Sequence, residues 1–302
     1  MGAQLRAVRQ RISAIQSTAK ITRAQELIAA SRIIKAQQRM RSATAYASEI
    51  QRAMEAVVTR SSNIDHPLVR QPGGAQRAAV LILTSDRGFA GGYNANVLRE
   101  AQRLRAMLQE QGVAVDTYVS GRKGITWHRF RQRVMAGEWS GFSENPAAAN
   151  ASEITAALLE AYKRPTSEGG LDEIHLVHTE FVSMLTQRPS IRRILPLEIV
   201  ETTEEAPTGP VPLYEFEPSP EGVLDALLPW YVESRIFHAL LDAAAAEIAS
   251  RRRAMKSATD NANELIEQLN LEANKARQAE ITQEISEIVG GANALAEATS
   301  GS

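Results

Sequence analysis

The sequence predicts a small α/β body inserted between two very long terminal helices. All 12 prolines lie within residues 67–229, and all but four of the 18 glycines lie within residues 73–222. Proline costs about 3 kcal/mol and glycine about 1 kcal/mol in a helix interior. Their absence from residues 3–66 and 230–289 predicts two unbroken helices there. Short apolar strands that alternate with helical segments predict a small, mainly parallel, Rossmann-like sheet between them.

A seven-residue repeat runs along the first predicted helix without a shift of frame. Sustained apolar spacing of 3.5 residues keeps one seam turned toward a partner helix in a left-handed supercoil. Only Thr22 and Glu26 interrupt this apolar seam. At positions a and d the repeat places Leu5, Val8, Ile12, Ile15, Ala19, Thr22, Glu26, Ala29, Ile33, Ala36, Met40, Ala43, Ala47, Ile50, Met54 and Val57.

The last predicted helix carries the same spacing, from Leu241 through Arg251 to Leu269. Because both helices flank one compact insert, the simplest pairing is an antiparallel coiled coil within the chain. Two independent helices packed on a globular body are the alternative. Antiparallel pairing brings Glu26 opposite Arg251, so we expect an interhelical ion pair that fixes the register. A shifted frame with Ile281, Ile285, Ile288, Ala292 and Leu295 then indicates a change of partner.

Residues 61–220 form the predicted body, between helical segments at 1–60 and 221–302. The first strand begins at residue 77, and a glycine-rich turn leads from it into an amphipathic helix. Further strands are predicted over 113–121, 174–181 and 191–200, helices over 125–135 and 151–163, and loops over 165–170 and 203–212.

Composition removes several classes of protein and site. There is no cysteine, which excludes disulfides, thiolate zinc sites and thiol catalysis. The longest uncharged runs are about a dozen residues, shorter than the roughly 20 apolar residues of a membrane span. Although the net charge is -1, residues 1–60 hold eleven Lys/Arg against three Asp/Glu, so a basic helix facing an acidic partner is expected.

The turn with Gly88, Gly91 and Gly92 leaves three interpretations open. A strand that ends at a helix amino terminus can hold phosphate, but the spacing matches no known phosphate-binding motif. The turn could instead be structural, or it could be a contact loop that presents Ser85, Asp86 and Arg87 to a partner. Elsewhere the five histidines are scattered, and no catalytic residue, metal site or cofactor is predicted.

Three segments resemble the signatures of one family. They are IQSTAKITRAQELIAASRIIKAQ near the amino terminus, SDRGFAGGYNAN in the middle and MKSATDNANELIEQLNLEANKARQAEITQEISEIVGGANAL near the carboxyl terminus. In this order, and at this chain length, they resemble the gamma subunits of F-type ATP synthases, and the resemblance covers essentially the whole chain.

The resemblance implies a central rotor shaft that couples proton flow to ATP synthesis or hydrolysis. Its expected partners are the alpha, beta and epsilon subunits and the ring of c subunits. Catalysis belongs to beta, so this chain is expected to have no active site and no cofactor of its own. It also implies a peripheral location on the cytoplasmic face of a bacterial plasma membrane, with membrane association only through the complex.

The resemblance also assigns contact residues. Residues matching the family's contacts with beta are Lys20, Arg23, Arg87, Arg251, Arg277, Gln278 and Thr282, and a foot that meets the c ring and epsilon would include Tyr214, Glu215 and Glu217. Two other functions remain as alternatives. One is a Rossmann-like nucleotide enzyme that oligomerises through its coil, and the other is a nucleic-acid binder built on the basic first helix, although no stacking aromatic residues accompany its charges.

Overall fold

A computed structural model describes residues 3–60, 74–197, 217 and 219–300. These residues divide into two compact units, one drawn from residues 1–28 and 252–302 and the other from residues 29–251. Helices α1 (Ala3–Arg60) and α5 (Pro220–Ser300) each contribute to both units. The predicted division of the chain into three parts, at residues 60 and 220, follows the ends of the long helices and not these two compact units. It stays a prediction.

In the first unit, α1 and α5 meet through a small polar layer inside an apolar seam. Leu5, Val8 and Ala19 of α1 are buried, as is Leu269 of α5. The hydroxyl oxygens of Thr22 and Thr259 lie 2.7 Å apart. One hydroxyl donates to the other, and the hydroxyl that accepts this bond donates to a carbonyl of its own helix, Ala19 for Thr22 or Met255 for Thr259, so both hydroxyls are satisfied within the seam.

In the second unit, the same two helices pack in antiparallel order. Ala29, Ile33 and Ala36 form an apolar cluster with Ala245, Ile248 and Ala249. Further along α1, Thr44 lies 3.1 Å from the ring nitrogen of His238, which precedes that cluster in α5. None of the sixteen predicted a and d positions of α1 is exposed, so the predicted seam is confirmed along the whole helix.

A five-stranded sheet forms the body of the second unit, in the order β3-β2-β1-β4-β5. The first four strands are parallel to their neighbours, whereas β5 is antiparallel to β4. This mainly parallel arrangement with flanking helices confirms the predicted fold class. The elements are β1 (Arg77–Leu83), α2 (Tyr93–Glu110), β2 (Ala114–Ser120), α3 (Arg122–Phe130), β3 (Gly137–Trp139), α4 (Ala148–Tyr162), β4 (Glu173–Phe181) and β5 (Gln187–Leu195).

Two apolar layers cover the faces of this sheet. Alternate residues of β1 point to opposite faces. Leu81 joins the cluster that includes α4 and the first turns of α5, whereas Val80 joins the cluster that includes α2. Because β1, β2 and β3 are parallel, their carboxyl ends lie at one edge of the sheet, where the loops that follow them come together.

Two local predictions were wrong, and both concern α3 and the strand after it. The long helix α5 begins at Pro220, next to the predicted start at residue 221, and it contains Pro229. The first turns of α5 bury Leu224, Leu228 and Val232, and this packing offsets the hydrogen bond that Pro229 cannot donate. The predicted helix over 125–135 is α3, which ends at Phe130 and is followed by the unpredicted strand β3.

Residues 165–170, predicted as a loop, contain one short 3-10 turn, Thr166–Glu168. The predicted loop over 203–212 lies outside the described residues. Among the residues that the structure describes, no helix combines the length and the apolar character that crossing a membrane requires.

Candidate functional site

Lys20 and Arg23 are exposed on α1 in the first unit. Both border a groove whose other wall is formed by residues of α5 in the same unit, among them Asp260 and Asn263. Arg23 donates to Glu26, with 2.8 Å between Nη1 and Oε2. These two cations are therefore accessible to a partner, as the resemblance implies, and one of them also neutralises a buried seam carboxylate.

Arg277, Gln278 and Thr282 lie on the exposed surface of α5. The Thr282 hydroxyl donates to the carbonyl of Gln278 at 2.9 Å, which fixes the side-chain rotamer. Among the described residues, Arg277 has no carboxylate within ion-pair distance. Its guanidinium is therefore free to bind an acceptor on another chain.

One carboxylate in the second unit, that of Glu144, gathers three arginines. Its Oε1 lies 2.9 Å from Arg251 Nη1, and its Oε2 lies 2.5 Å from Arg32 and 3.8 Å from Arg87. The three cations come from α5, from α1 and from the turn after β1. We call these four residues the Glu144 cluster, and it ties the body to both long helices within this unit.

Arg251 is the buried member of this cluster, with a side chain only 9% exposed. It also donates to Glu247 at 2.7 Å and approaches the carbonyl of Gly88 at 3.4 Å. Glu26 and Arg251 thus each have a charged partner in their own unit, so neither needs the predicted interhelical pair to be neutralised. That pair stays a prediction, as does a contact of Arg251 with beta.

Glu247, which accepts a hydrogen bond from Arg251, is the most deeply buried carboxylate beside the Glu144 cluster. Burial raises its pKa to about 7, and the nearby Arg251 only partly opposes this effect. The Oε2 atom has no hydrogen-bond partner among the described residues. Glu247 therefore titrates near neutral pH, although it lies in a packed interface and not in a cleft that a substrate could enter.

The turn after β1 is held by the carboxylate of Asp86. Its Oδ1 accepts the backbone N–H of Arg122 at 3.0 Å, and its Oδ2 accepts those of Gly141 and Ser143 at 2.8 and 3.0 Å. Burial alone would raise the pKa of Asp86, but the N–H groups of Ser143, Gly141 and Arg122 hold it below its ordinary value. A carboxylate of the chain itself thus occupies the amino terminus of α3, where an anion is favoured.

The backbone conformation of Gly121 is what allows this arrangement. Its φ is 103°, and a Cβ atom there would lie 2.1 Å from the carbonyl oxygen of Thr84. Only glycine allows β2 to turn into α3 so close to the end of β1. These contacts support the structural interpretation of the glycine-rich turn. The contact-loop interpretation is supported as well, because Arg87 and Phe89 are 71% and 80% exposed.

The scattered histidines that the structure describes have acidic neighbours in two cases. His175 pairs with Glu173 at 2.7 Å and His178 lies 3.4 Å from Asp242, on opposite faces of β4. No group of three metal-ligating side chains occurs within the described part of the chain. Of the predicted foot, Glu217 is exposed, whereas Tyr214 and Glu215 lie outside the described residues.

A family model for ATP synthase matches residues 4–295. An ATP synthase gamma chain from Acidothermus cellulolyticus is 60% identical, with 98% of each chain covered. This chain belongs to the ATP synthase gamma chain family. A second gamma chain, from Thermobifida fusca, is 58% identical and aligned over 100% of both chains, so the resemblance seen in three segments is confirmed over the full length.

Solved structures share the fold of this gamma chain family member. A chain in the Euglena gracilis mitochondrial ATP synthase structure of OSCP, F1 and c ring, in rotational state 3, has a TM-score of 0.67 at 14% identity, covering 98% of this chain and 95% of that chain. A chain in the central stalk and c-ring structure of Tetrahymena thermophila mitochondrial ATP synthase has a TM-score of 0.58 at 22% identity, covering 79% and 99%. Both support a body between two long helices.

The gamma-family signatures did not reveal the Glu144 cluster or the role of Asp86. Glu144 is separated from Arg32 by 112 residues and from Arg251 by 107, so no sequence spacing links them. A weak signal existed for Asp86, because it lies in the turn after a buried strand and aspartate oxygens often accept N–H groups at helix amino termini. For Glu247, a lone glutamate within the otherwise apolar run 243–249 was the available signal.

Proposed function

We propose that this chain is the central stalk, or rotor, of a proton-translocating F-type ATP synthase. It transmits torque between the c ring and the catalytic alpha/beta hexamer, and so couples proton flow to ATP synthesis or hydrolysis. The observation that carries this proposal is membership of the gamma chain family over nearly the whole sequence. Two unbroken helices of 58 and 81 residues, with an apolar seam turned inward and cations outside, suit such a part.

The proposed partners are the alpha, beta and epsilon subunits and the c ring. Catalytic sites belong to beta, and this chain contributes mechanical contacts, with no cofactor and no nucleic acid. Lys20, Arg23, Arg87, Arg277 and Gln278 are exposed and offer cations or amides to carboxylates of beta. The chain is proposed to lie on the cytoplasmic face of the bacterial plasma membrane, attached only through the complex.

Co-expression with alpha and beta tests the proposal directly. A tagged chain is expected to retain both subunits through affinity purification and size-exclusion chromatography at physiological salt. Recovery of the tagged chain without them would contradict the proposal. A nucleotide enzyme would instead bind ATP as the isolated chain at micromolar concentration, which the internal carboxylate of Asp86 at the α3 amino terminus argues against.

The contacts on α5 have a separate test in the assembled complex. Arg277→Glu combined with Gln278→Leu is expected to weaken assembly or ATP-driven proton pumping while nucleotide binding to beta is unchanged. The matched control is Arg103→Glu with Gln102→Leu, an exposed neighbouring pair on α2 that no predicted contact uses. Equal pumping by both variants would contradict the assigned contacts without contradicting the assembly itself.

A further inference from the structure

Three arginines on the body have no counterion in the part of the chain that the structure describes. Arg105 lies on α2, whereas Arg131 and Arg133 lie in the turn that follows α3. Among the described residues, none of their guanidinium groups has a carboxylate within ion-pair distance. We call these three residues the arginine trio. Like charges with no carboxylate between them repel one another, so the trio favours an anion from outside the chain.

The arginine trio surrounds two neighbouring rings at the end of α3. The rings of Trp127 and His128 have their centroids 4.8 Å apart. The guanidinium carbon of Arg131 lies 4.1 Å from the ring centroid of Trp127, and that of Arg133 lies 5.1 Å from it. Arg133 and Arg105 both border a small cavity beside these rings. A helix and a turn thus bring the three cations to one place.

The end of α3 does not balance the charge of the arginine trio. This helix ends at Phe130, and its carboxyl end carries the equivalent of about half a negative charge. Glu138 on β3 pairs with Arg129 instead of with the trio. Three guanidinium groups therefore keep a surplus of more than about two positive charges, which is enough to favour a doubly charged anion.

His128 supplies a hydrogen-bond acceptor at the same place. Its ring is buried, and its Nδ1 lies 2.9 Å from the carbonyl oxygen of Gly124. Because a carbonyl oxygen only accepts, Nδ1 carries the proton and Nε2 is the acceptor of the neutral ring. Among the described residues, Nε2 has no hydrogen-bond partner. Burial, together with the charges of the arginine trio, lowers the pKa of His128, so the ring is neutral at pH 7.

The size of the cavity limits the ligand to a small ion. The cavity encloses about 10 Å³, which is room for a single water-sized group. One oxygen atom of an ion can enter it while the other oxygens stay at its mouth. The ring of Trp127 already carries two guanidinium groups, so it is no free platform for a nucleobase. A small oxyanion is therefore favoured over a nucleotide or a nucleic acid.

We propose that the arginine trio and His128 bind hydrogen phosphate as a free ion. The guanidinium groups donate to its negatively charged oxygens, and its P–O–H group donates to Nε2 of His128. Sulfate has a similar shape and charge but carries no proton at neutral pH, so it leaves Nε2 without a partner. The diester phosphate of a lipid headgroup lacks that proton as well. This proposal goes beyond the rotor function and does not depend on it.

Nuclear magnetic resonance of the full-length chain tests the proposal. The ring signals of His128 are followed at neutral pH while sodium phosphate is added, with sodium chloride keeping the ionic strength constant. We expect a saturable shift of these signals. We also expect phosphate to raise the pKa of His128, because the bound anion offsets the charges of the arginine trio. Sodium sulfate should bind about tenfold more weakly, since it leaves Nε2 unpaired.

Substitutions separate this site from the general charge of the chain. Arg131→Gln should weaken phosphate binding about tenfold, because one charge-assisted hydrogen bond is lost. Arg131 is exposed, so the variant should keep its fold, and Arg131→Lys should retain part of the affinity because it keeps the charge. Arg105→Gln removes a second member of the trio. The control is Arg103→Gln, an exposed residue of α2 that does not border the cavity and should leave binding unchanged.

Phosphate binding that Arg131→Gln weakens and Arg103→Gln does not would support the site. The absence of a saturable response to phosphate would overturn it, as would equal weakening by the two variants. Equal affinity for sulfate would overturn the assignment of hydrogen phosphate as the ligand. A chain that binds phosphatidylglycerol vesicles and does not respond to free phosphate would also overturn it.

Discussion

At the end of β1, the carboxylate of Asp86 receives N–H groups from Arg122, Gly141 and Ser143, which lie 36 to 57 residues away. Three donors to one carboxylate form a strong, charge-assisted site. The loops after β1, β2 and β3 are thereby fixed to one another. At the scale of single residues, Asp86 is the group that gives the glycine-rich turn its shape.

Replacement of Asp86 by Asn should destabilise the chain. The amide has one acceptor oxygen for three N–H groups, so we expect a loss of about 1–3 kcal/mol in the free energy of unfolding at pH 7. Because the fold lowers the pKa of Asp86, its stabilisation is present above pH 4 or so and is lost as the pH falls through the folded-state pKa. Urea unfolding at several pH values should show a larger acid-dependent loss in the natural chain than in the variant, in which Glu173 and Glu180 still have lowered pKa values.

Glu247 should give the opposite pH dependence. Its pKa is about 7 in the fold against an ordinary 4.5, so the native state binds its proton more tightly than the unfolded chain does. The contribution of Glu247 to the free energy of unfolding should therefore fall as the pH rises from about 4.5 to about 7, opposite to that of His128 and His238, whose pKa values the fold lowers. Glu247→Gln should remove this contribution from the pH dependence of urea unfolding, whereas Glu138→Gln, an exposed ion-pair partner, should retain it.

Individual partners such as these could not be predicted from the sequence. The charge of Arg251 on an apolar seam was visible, and it led to Glu26 as the expected partner because both interrupt a seam. The contacts of Arg251 that the structure shows are with Glu247, one turn away, and with Glu144 in a loop. A heptad pattern describes helix faces, and it contains no information about which loop approaches a helix.

At the scale of elements, the seam of α1 was predicted in full. A repeat that holds its frame over eight heptads is a strong signal, because each position independently agrees with the same face. The seam is also rich in alanine, which favours a close approach of the helices, and Ala29, Ala36 and Ala245 are buried where α1 packs on α5 in the second unit. Long periodic elements are thus the part of this fold that sequence reasoning describes best.

The close approach can be tested by overpacking. Ala245 is fully buried between Ile33 and Ile248, so Ala245→Leu should lower the free energy of unfolding by about 1–3 kcal/mol. Ala45→Leu places the same side chain on the exposed face of α1 and should change it by less than about 0.5 kcal/mol. Similar denaturation midpoints for the two variants would contradict a tight seam.

Short or interrupted elements were predicted less well for identifiable reasons. β3 has three residues, too few to show an alternating pattern, and it is defined by its parallel pairing with β2. Gly137 leaves room there for the rings of Tyr118 and Trp139, which stack 6.3 Å apart. The first turns of α5 contain Pro229, which on local propensity alone would interrupt a helix. Tertiary burial of Leu224 and Val232 decides that helix, and burial is not visible in local propensity.

At the scale of the whole molecule, the far end of α5 carries apolar side chains that the chain does not cover. Ile281, Ile285 and Ile288 are 48%, 56% and 71% exposed, in the frame that the sequence predicted to face a different partner. Exposed side chains at helical spacing indicate an interface with another subunit. No contact in the described residues identifies that subunit, so the predicted change of partner stays a prediction.

Ile285→Lys with Ile288→Lys should separate folding from assembly. The isolated chain should unfold within about 0.5 kcal/mol of the natural chain, because neither residue is buried in it. Retention of alpha and beta subunits on affinity purification should fall several-fold. Val134→Lys, an equally exposed apolar position on the body, should leave retention unchanged, and equal loss in both variants would contradict a specific role for this end of α5.

The self-capped start of α3 has a consequence for a protein that operates among adenine nucleotides. A sheet of this type usually offers its strand ends to phosphates, yet here a resident carboxylate repels them. We therefore expect free nucleotide to find no phosphate site at this helix end. The state of the adenine nucleotide pool should then reach this chain only through subunits that bind nucleotide.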